Sequence, residues 1–309
     1  MEPIIEVDKL KKKFGEFTAV DELSFSVFPN EIFGLLGPNG AGKTTTISMI
    51  CGLLPYTEGS IRFTGSNARD YKSLIGYCAQ ENILYPKLTC LEQLVFIGSM
   101  YGLTHRAVKR QALELLSLLG LSDKADSMAA NLSGGMKRRL NICLALVHNP
   151  EILILDEPEA GLDPQSRILV RDFIRYFGSS KTVILTTHNM DEADRLAHRI
   201  AIIDYGKLLL LDTPGNLKKT IGEGDLLEIN FEPGNEIGFN HFAEQAISMA
   251  SIVSEGSSHI VFRHKNIIQI LPAIRDKAEK SGLVISEIKL RENTLEDVFI
   301  HLTGRNLRQ

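Results

Sequence analysis

The chain has 309 residues, which is long enough for one large domain and a smaller one without disulfides or metals to stabilise them. Hydrophobic residues make up 44% and charged residues 23%, as in folded globular proteins rather than disordered ones. The net charge of −4 gives no bulk positive field, so we expect no nucleic-acid partner. No segment reaches the roughly 20 apolar residues of a membrane helix, and the N-terminus lacks a signal-peptide pattern.

Apolar periodicity predicts an α/β fold for most of the chain. Alternation at residues 4–8 and 23–27 predicts antiparallel strands, whereas the short apolar runs 32–36, 75–79, 152–155 and 183–185 are typical of buried parallel strands. Residues 81–150 have helical spacing, as in Leu140, Cys143, Leu144 and Val147. The sequence therefore predicts a parallel sheet, an antiparallel region and a helical subdomain.

A change of composition near residues 212–224 predicts a domain boundary, which we place between residues 1–218 and 219–309. Beyond it, 225–231, 259–263 and 283–290 are strand-like and 269–280 is helical. Thr294 and Asp297 form a capping-box pattern, followed by a helical face of Leu295, Val298, Phe299 and Leu302 and a stop at Gly304. This second domain is predicted to be α+β, and it carries no catalytic pattern.

Four cysteines are present, and none belongs to a CxxC pair or to a set with zinc spacing. They are Cys51, Cys78, Cys90 and Cys143. We expect them to be reduced, buried thiols of a cytosolic protein.

A glycine-rich segment between a predicted strand and a predicted helix (45–53) matches the phosphate-binding pattern G-x-x-x-x-G-K-[ST]. Its glycines let backbone N–H groups surround phosphate, and the helix start adds its dipole. The Lys43 ammonium is expected to contact the β- and γ-phosphates, and the Thr44 hydroxyl to bind Mg²⁺. The predicted nucleotide-binding residues here are Gly37, Pro38, Asn39, Gly40, Ala41, Gly42, Lys43, Thr44 and Thr45.

Two carboxylates follow the apolar run 152–155, at the sheet edge where ligands of open α/β sheets bind. Asp156 suits the Mg²⁺ shell, and Glu157 is left to deprotonate or orient water. Together with the phosphate-binding loop, this pair predicts nucleotide hydrolysis.

The segment Leu132-Ser133-Gly134-Gly135-Met136 resembles the LSGGQ signature of ATP-binding cassette (ABC) proteins, and it precedes Asp156 as in that family. Ser133 and two glycines opening a helix offer N–H groups to an anion. Because the chain already has one phosphate-binding loop, this second one is expected to serve the ATP of another protomer.

The resemblance extends over residues 4–217 and implies further roles. Phe14 resembles the aromatic residue that stacks on adenine, and Gln80 resembles the glutamine of the Mg²⁺ shell. Asp163 lies in a segment similar to the loop that crosses the dimer interface, and His188 resembles the histidine that holds the γ-phosphate. The implied fold is a P-loop NTPase ABC ATPase core with an antiparallel β subdomain and a helical subdomain.

Three residues depart from the family pattern. Met136 replaces glutamine and removes a polar group, and Phe14 replaces the commoner tyrosine. Glu159 stands where Ser, Thr or Phe is usual; its carboxylate either raises the pKa of a neighbouring acid or points to solvent.

The segments 132–140, 186–193 and 294–304 resemble the drug-, lipid- and polysaccharide-exporting branch, including daunorubicin-resistance-type ATPases. The resemblance implies an ATPase subunit that uses ATP and Mg²⁺, forms a homodimer or pairs with a related ATPase subunit, and joins membrane permease subunits at the inner face of the cell membrane. A non-transport ABC ATPase or a regulatory, non-hydrolysing one is the alternative. No N-K-x-D-type motif supports a GTPase.

Overall fold

A computed structural model describes residues 2–64, 68–247 and 249–304, so residues 305–309 of the predicted second domain lie outside the described residues. The described chain forms two compact units that divide between Pro214 and Gly215. The sequence places the boundary between the two domains after residue 218, and this position stays a prediction. Within the described ranges, no helix is long and apolar enough to cross a bilayer.

The first unit contains two sheets. Its strands are β1 (Ile5–Phe14), β2 (Phe17–Val27), β3 (Ile32–Leu36), β4 (Glu58–Phe63), β5 (Ile75–Cys78), β6 (Ile152–Asp156), β7 (Thr182–Thr187), β8 (Arg199–Asp204) and β9 (Lys207–Asp212). The three-stranded sheet has the order β2-β1-β4 and is antiparallel. The six-stranded sheet has the order β5-β6-β7-β3-β8-β9, in which only β9 is antiparallel to its neighbour.

The central strands of the six-stranded sheet, β3, β6 and β7, are buried on both faces. Ile152 and Ile154 of β6 pack with the antiparallel sheet, whereas Leu153 and Leu155 pack with the helices of the other face. Those helices are α2 (Cys90–Met100), α3 (His105–Leu118), α4 (Gly134–Leu146) and α5 (Pro164–Gly178). Because both faces of the central strands are covered, apolar runs mark them, and the sequence predicts β3, β5, β6 and β7 within one or two residues. It does not predict β8 and β9.

Two shorter helices follow the strand ends of this sheet: α1 (Lys43–Ile50) and α6 (Met190–Leu196). The helix predicted at 45–53 is α1, which begins two residues earlier and ends three residues earlier than predicted. It begins directly after Gly42, whose φ of 100° ends the loop, and Gly52, with φ 66°, lies in the turn that follows the helix. This placement brings Lys43 and Thr44 into the first turn of α1.

The second unit is an α+β domain with one antiparallel sheet of order β11-β12-β10-β13. Its elements are α7 (Pro214–Lys219, which begins one residue before the division), β10 (Asp225–Phe231), α8 (Glu236–Ala246), β11 (Ser251–Glu255), β12 (His259–His264), α9 (Ile267–Lys280), β13 (Ile285–Arg291) and α10 (Leu295–Thr303). The capping box at Thr294 and the left-handed Gly304 bound α10 as predicted. Of the predicted helical face, Leu295, Val298 and Phe299 are buried and Leu302 is 38% exposed.

The four cysteines are free and buried. Burial raises the pKa of Cys51 to about 12 and that of Cys78 to about 11. It also raises the pKa of Cys90 and of Cys143. All four are therefore thiols rather than thiolates at neutral pH.

Candidate active site

The glycine-rich loop joins β3 to α1 and is fixed by close backbone packing. A Cβ at position 37 would lie 2.3 Å from the Ile203 carbonyl oxygen, and one at position 42 would lie 2.6 Å from that of Ala19. Only glycine fits these two places. Gly40, with φ 82°, has open space around its missing Cβ, so backbone at this point is accessible to a ligand.

Lys43 extends into this loop and is almost fully buried. Its ammonium Nζ donates to the carbonyl oxygens of Gly37 (2.8 Å) and Pro38 (3.1 Å) and lies 3.5 Å from Glu157 Oε1. Burial lowers the pKa of Lys43, and the nearby Glu157 carboxylate opposes this shift. The loop therefore holds one desolvated cation beside a carboxylate.

An open cavity of about 620 Å³ lies over the loop. It is lined by Phe14, Phe17, Ala19, Asn39, Gly40, Gly42, Lys43, Thr44, Thr45, Gln80, Glu157, Ala160 and His188. The structure thus brings together ten of the residues that the sequence singles out. Gly37, Pro38, Ala41 and Asp156 lie in the same strand–loop segments but do not line the cavity.

Asp156 ends β6 and is completely buried. Its Oδ1 accepts from the Thr44 hydroxyl (3.2 Å) and from the Thr186 hydroxyl, while Oδ2 has no hydrogen-bond partner among the described residues. An unpartnered, buried carboxylate oxygen beside a threonine hydroxyl fits the oxygen ligands that Mg²⁺ prefers. No described cluster of three His, Cys, Asp or Glu side chains could hold a metal alone, so phosphate or water oxygens would complete the shell.

Glu157 follows directly and has an unusual backbone. Its φ of 48° is in the left-handed region, which costs a non-glycine residue about 1–2 kcal/mol. The His188 ring atom Nδ1, after β7, lies 3.0 Å from both Glu157 carboxylate oxygens. The turn after β6 therefore presents one carboxylate inward at Asp156 and the next one to the cavity.

The β1–β2 hairpin provides an apolar edge of the cavity. Phe14 and Phe17 are directly paired across the turn and are 50% and 64% exposed. Sequence reasoning found Phe14 and missed Phe17. The signal was the two-residue spacing Gly15-Glu16, since a tight turn places the flanking residues side by side.

The residues of the signature segment lie outside this cavity. Ser133 caps α4, with its Oγ accepting from the Met136 N–H at 3.3 Å. A Cβ at position 135 would lie 2.3 Å from Ser166 Oγ, whereas one at position 134 would have no atom of the described residues within 4 Å. Asp163 caps α5 through the Ser166 N–H (2.9 Å), and this bond lowers the pKa of Asp163.

Glu159 neither points to solvent nor contacts the two carboxylates before it. It is buried and forms a bidentate ion pair with Arg171 of α5, at 2.8 and 3.1 Å. The affected neighbour is Glu192: burial raises its pKa to about 8, and Glu159 adds to the increase. Sequence alone left these alternatives open because Arg171 is brought close only by the turn before α5.

Comparison with known proteins identifies the family. The ABC transporter family model matches residues 20–160. A linearmycin resistance ATP-binding protein of Bacillus subtilis is 38% identical over 99% of this chain and 100% of its own length. The chain belongs to the ABC transporter family. A Nod factor export ATP-binding protein of Paraburkholderia xenovorans is also 38% identical, over 99% of both chains.

Solved structures agree with this membership and with an ABC ATPase fold. An ATP-binding subunit of an ABC transporter superposes with a TM-score of 0.64 at 28% identity, over 71% of this chain and 93% of its own. A dimeric ABC cassette in a post-hydrolysis state with ADP and phosphate gives a TM-score of 0.62 at 25% identity, over 68% of this chain and 98% of its own. The resemblance found in the motifs and the predicted α/β core are confirmed.

Proposed function

We propose that this ABC ATPase is the ATP-binding subunit of an exporter and hydrolyses Mg·ATP in the cavity over the glycine-rich loop. The observation that carries the proposal is the convergence there of Lys43, Thr44, Glu157 and His188, with Asp156 directly behind. A cation, metal-suited oxygens and a water-activating carboxylate are the groups that phosphoryl transfer requires.

Each part of the cavity has a role in binding. The exposed ring of Phe14 offers a stacking face to adenine, and the paired ring of Phe17 enlarges it. The loop N–H groups and Lys43 bind the phosphates. Thr44, Asp156 and Gln80 would hold Mg²⁺, which neutralises phosphate charge when bound.

Glu157 is the proposed general base. Its carboxylate accepts a proton from the water that attacks the γ-phosphorus, while the bond to the ADP oxygen breaks. His188, 3.0 Å from both Glu157 oxygens, orients this carboxylate and lies where a γ-phosphate contact is possible. Lys43 Nζ lies 3.5 Å from Oε1 of the same carboxylate.

The signature segment is proposed to act on the ATP of a second cassette. Ser133, Gly134, Gly135 and Asp163 lie outside the cavity, and the space beside Gly134 is open. The dimeric ABC cassette with ADP and phosphate is a precedent for pairing. The relatives named for linearmycin resistance and Nod factor export support an exporter that acts with membrane permease subunits at the inner face of the cell membrane.

The test is Glu157→Gln, which keeps shape and hydrogen bonding but removes the base. We expect kcat for ATP hydrolysis to fall about 10²–10⁴-fold. ATP binding is expected to survive, because the loop contacts are unchanged and one negative charge near the γ-phosphate is gone. Steady-state hydrolysis and titration with a fluorescent ATP analogue measure the two quantities.

Glu159→Gln is the matched control, since it makes the same change two residues later in a carboxylate that pairs with Arg171. We expect this variant to hydrolyse ATP. If Glu157→Gln still hydrolyses ATP and Glu159→Gln does not, the general base would be assigned to Glu159. Absence of turnover in the wild type, with and without membrane partners, would instead favour a regulatory cassette that only binds ATP.

A further inference from the structure

Arg138 is a buried cation whose described hydrogen bonds all go to backbone carbonyls. It lies in α4 and is 3% exposed. Its Nη2 donates to the carbonyl oxygens of Asp156 (2.6 Å) and Glu157 (3.1 Å), and its Nε donates to that of Pro158 (3.2 Å). Its Nη1 donates to the carbonyl oxygens of Ala79 and, at 3.0 Å, Gln80.

These acceptors belong to the two segments that carry the proposed catalytic groups. Three consecutive carbonyls surround Glu157, whose left-handed backbone is unfavourable unless neighbouring groups hold it. The Glu157 N–H donates to Thr186 Oγ1 (2.9 Å), which anchors the turn to β7. Arg138 anchors the opposite, carbonyl side of the same turn.

The other acceptors, Ala79 and Gln80, lie just after β5. Without Arg138, two adjacent carbonyls at this point would lose a charged donor inside the protein, which is costly for each group. The guanidinium also fixes the distance between the Gln80 segment and the Glu157 turn, because its planar fork bonds to both at once. A single-point cation cannot do this.

The neighbouring Arg139 provides an internal comparison. It is 8% exposed, lies on the same helix and also donates to two carbonyls, those of Leu119 (2.6 Å) and Gly120 (3.2 Å). Those acceptors follow α3 and are not part of the cavity. Burial and carbonyl bonding are thus common to both arginines, and only Arg138 contacts the proposed catalytic segments.

We propose that Arg138 is a positioning residue for hydrolysis, which holds the Glu157 turn and the Gln80 segment in register and links both to the helix that Ser133 begins. This inference rests on the proposed role of Glu157. It makes α4 a connection between two sites, since the helix begins at Ser133, which does not line the cavity, and carries Arg138, which bonds to two segments that do.

The experiment compares Arg138→Met with Arg139→Met in the full chain. Methionine keeps length and apolar packing but donates no hydrogen bond. We expect Arg138→Met to lower kcat about 10²-fold, the usual cost of a misplaced catalytic group. The dissociation constant for ATP, and the increase in Tm that ATP causes, are expected to stay at the wild-type values.

Arg139→Met is expected to lower Tm comparably and to leave kcat close to wild type. Arg138→Lys keeps the charge and one donor atom, so its kcat is expected between those of wild type and Arg138→Met, and it replaces the methionine variant if that does not fold. Equal loss of kcat in the Arg138 and Arg139 variants, or a weaker ATP affinity with unchanged kcat in Arg138→Met, would overturn the inference. If Glu157→Gln lowers kcat and Arg138→Met does not, the role of Arg138 alone is refuted. If Glu157→Gln keeps the wild-type kcat, the proposed base is refuted.

Discussion

Two helices of this protein, α1 and α4, begin at glycine-containing turns, and the surroundings of the two turns differ. The turn before α1 enters a cavity that also contains Glu157, Gln80 and His188. The first turn of α4, capped by Ser133, contains Gly134 and Gly135, and the space beside Gly134 is open. Both lie at a helix start, where the first N–H groups have no partner within the helix. The cavity of the proposed hydrolytic site lies over the first turn and not over the second.

This difference shows that a similar local pattern acquires its chemistry from its surroundings. Lys43 has a carboxylate 3.5 Å away, and Thr44 bonds to Asp156. The α4 turn has a second glycine, Gly135, packed against Ser166. The first turn is consistent with a nearly complete site, and the second with half of a site that another molecule completes.

Lys43→Ala tests whether the first turn is the phosphate site. Loss of the buried cation is expected to lower kcat about 10²–10³-fold, the cost of removing one preorganised charge donor, and to weaken ATP binding. Hydrolysis and ATP titration measure both effects. Lys181→Ala is the control. Lys181 donates to Asn149 and Pro150, and it lies just before β7, at the opposite end of that strand from His188. Equal effects of the two variants would contradict the assignment.

Ser133→Arg tests whether the second turn acts on the ATP of another molecule. Alone, this variant and Lys43→Ala are both expected to hydrolyse ATP much more slowly than the wild type. A mixture, or a covalently linked pair, is expected to regain hydrolysis, because one composite site keeps Lys43 from one chain and Ser133 from the other. If the linked pair is no faster than its parents, the signature segment does not act in trans.

Alanine at positions 134 and 135 separates packing from ligand access within the second turn. A Cβ at 135 would approach Ser166 Oγ to 2.3 Å, so Gly135→Ala is expected to lower stability by about 1–3 kcal/mol. Gly134→Ala is expected to keep its stability and to lose hydrolysis. Thermal unfolding and turnover measure the pair. Full activity in Gly134→Ala would mean that no ligand approaches there.

Asp156→Asn tests the metal at the first turn. In the wild type, MgATP is expected to raise Tm above the value with ATP and EDTA, by about 2–4 °C for each kcal/mol of metal binding. Asparagine retains one oxygen but not the charge, so the variant is expected to show nearly the same Tm in both conditions. A magnesium effect of wild-type size would assign the metal to other ligands.

Local sequence patterns predicted the central buried strands and the ends of α10. The strands at 32–36 and 152–156 are buried on both faces and were predicted from the apolar runs 32–36 and 152–155, and Thr294 and Gly304 mark both ends of α10. The helix α8 and strand β11 were not predicted. The strand β11 pairs only with β12 and lies at a sheet edge, and edge strands carry weaker apolar patterns than central ones.

Within the candidate site, the sequence identified residues that belong to a recognisable motif. It did not identify residues whose contacts lie far away in the sequence. Lys43, Asp156 and Glu157 are recognisable by spacing. Arg138 acts on carbonyls of residues 79–80 and 156–158, and no pattern marks a carbonyl acceptor. The Glu159–Arg171 pair was likewise missed, since its formation depends on how the segment between β6 and α5 turns.

The four buried thiols have a practical consequence for experiments on the proposed dimer. Maleimides and other alkylating reagents attack the thiolate, and burial raises the pKa of Cys51 to about 12 and of Cys78 to about 11. The pKa values of Cys90 and Cys143 are raised as well. A cysteine introduced at exposed Met128 or Ile168 would therefore be labelled selectively on the native background, which makes spin-label distance measurements and single-molecule fluorescence feasible without replacing any natural thiol.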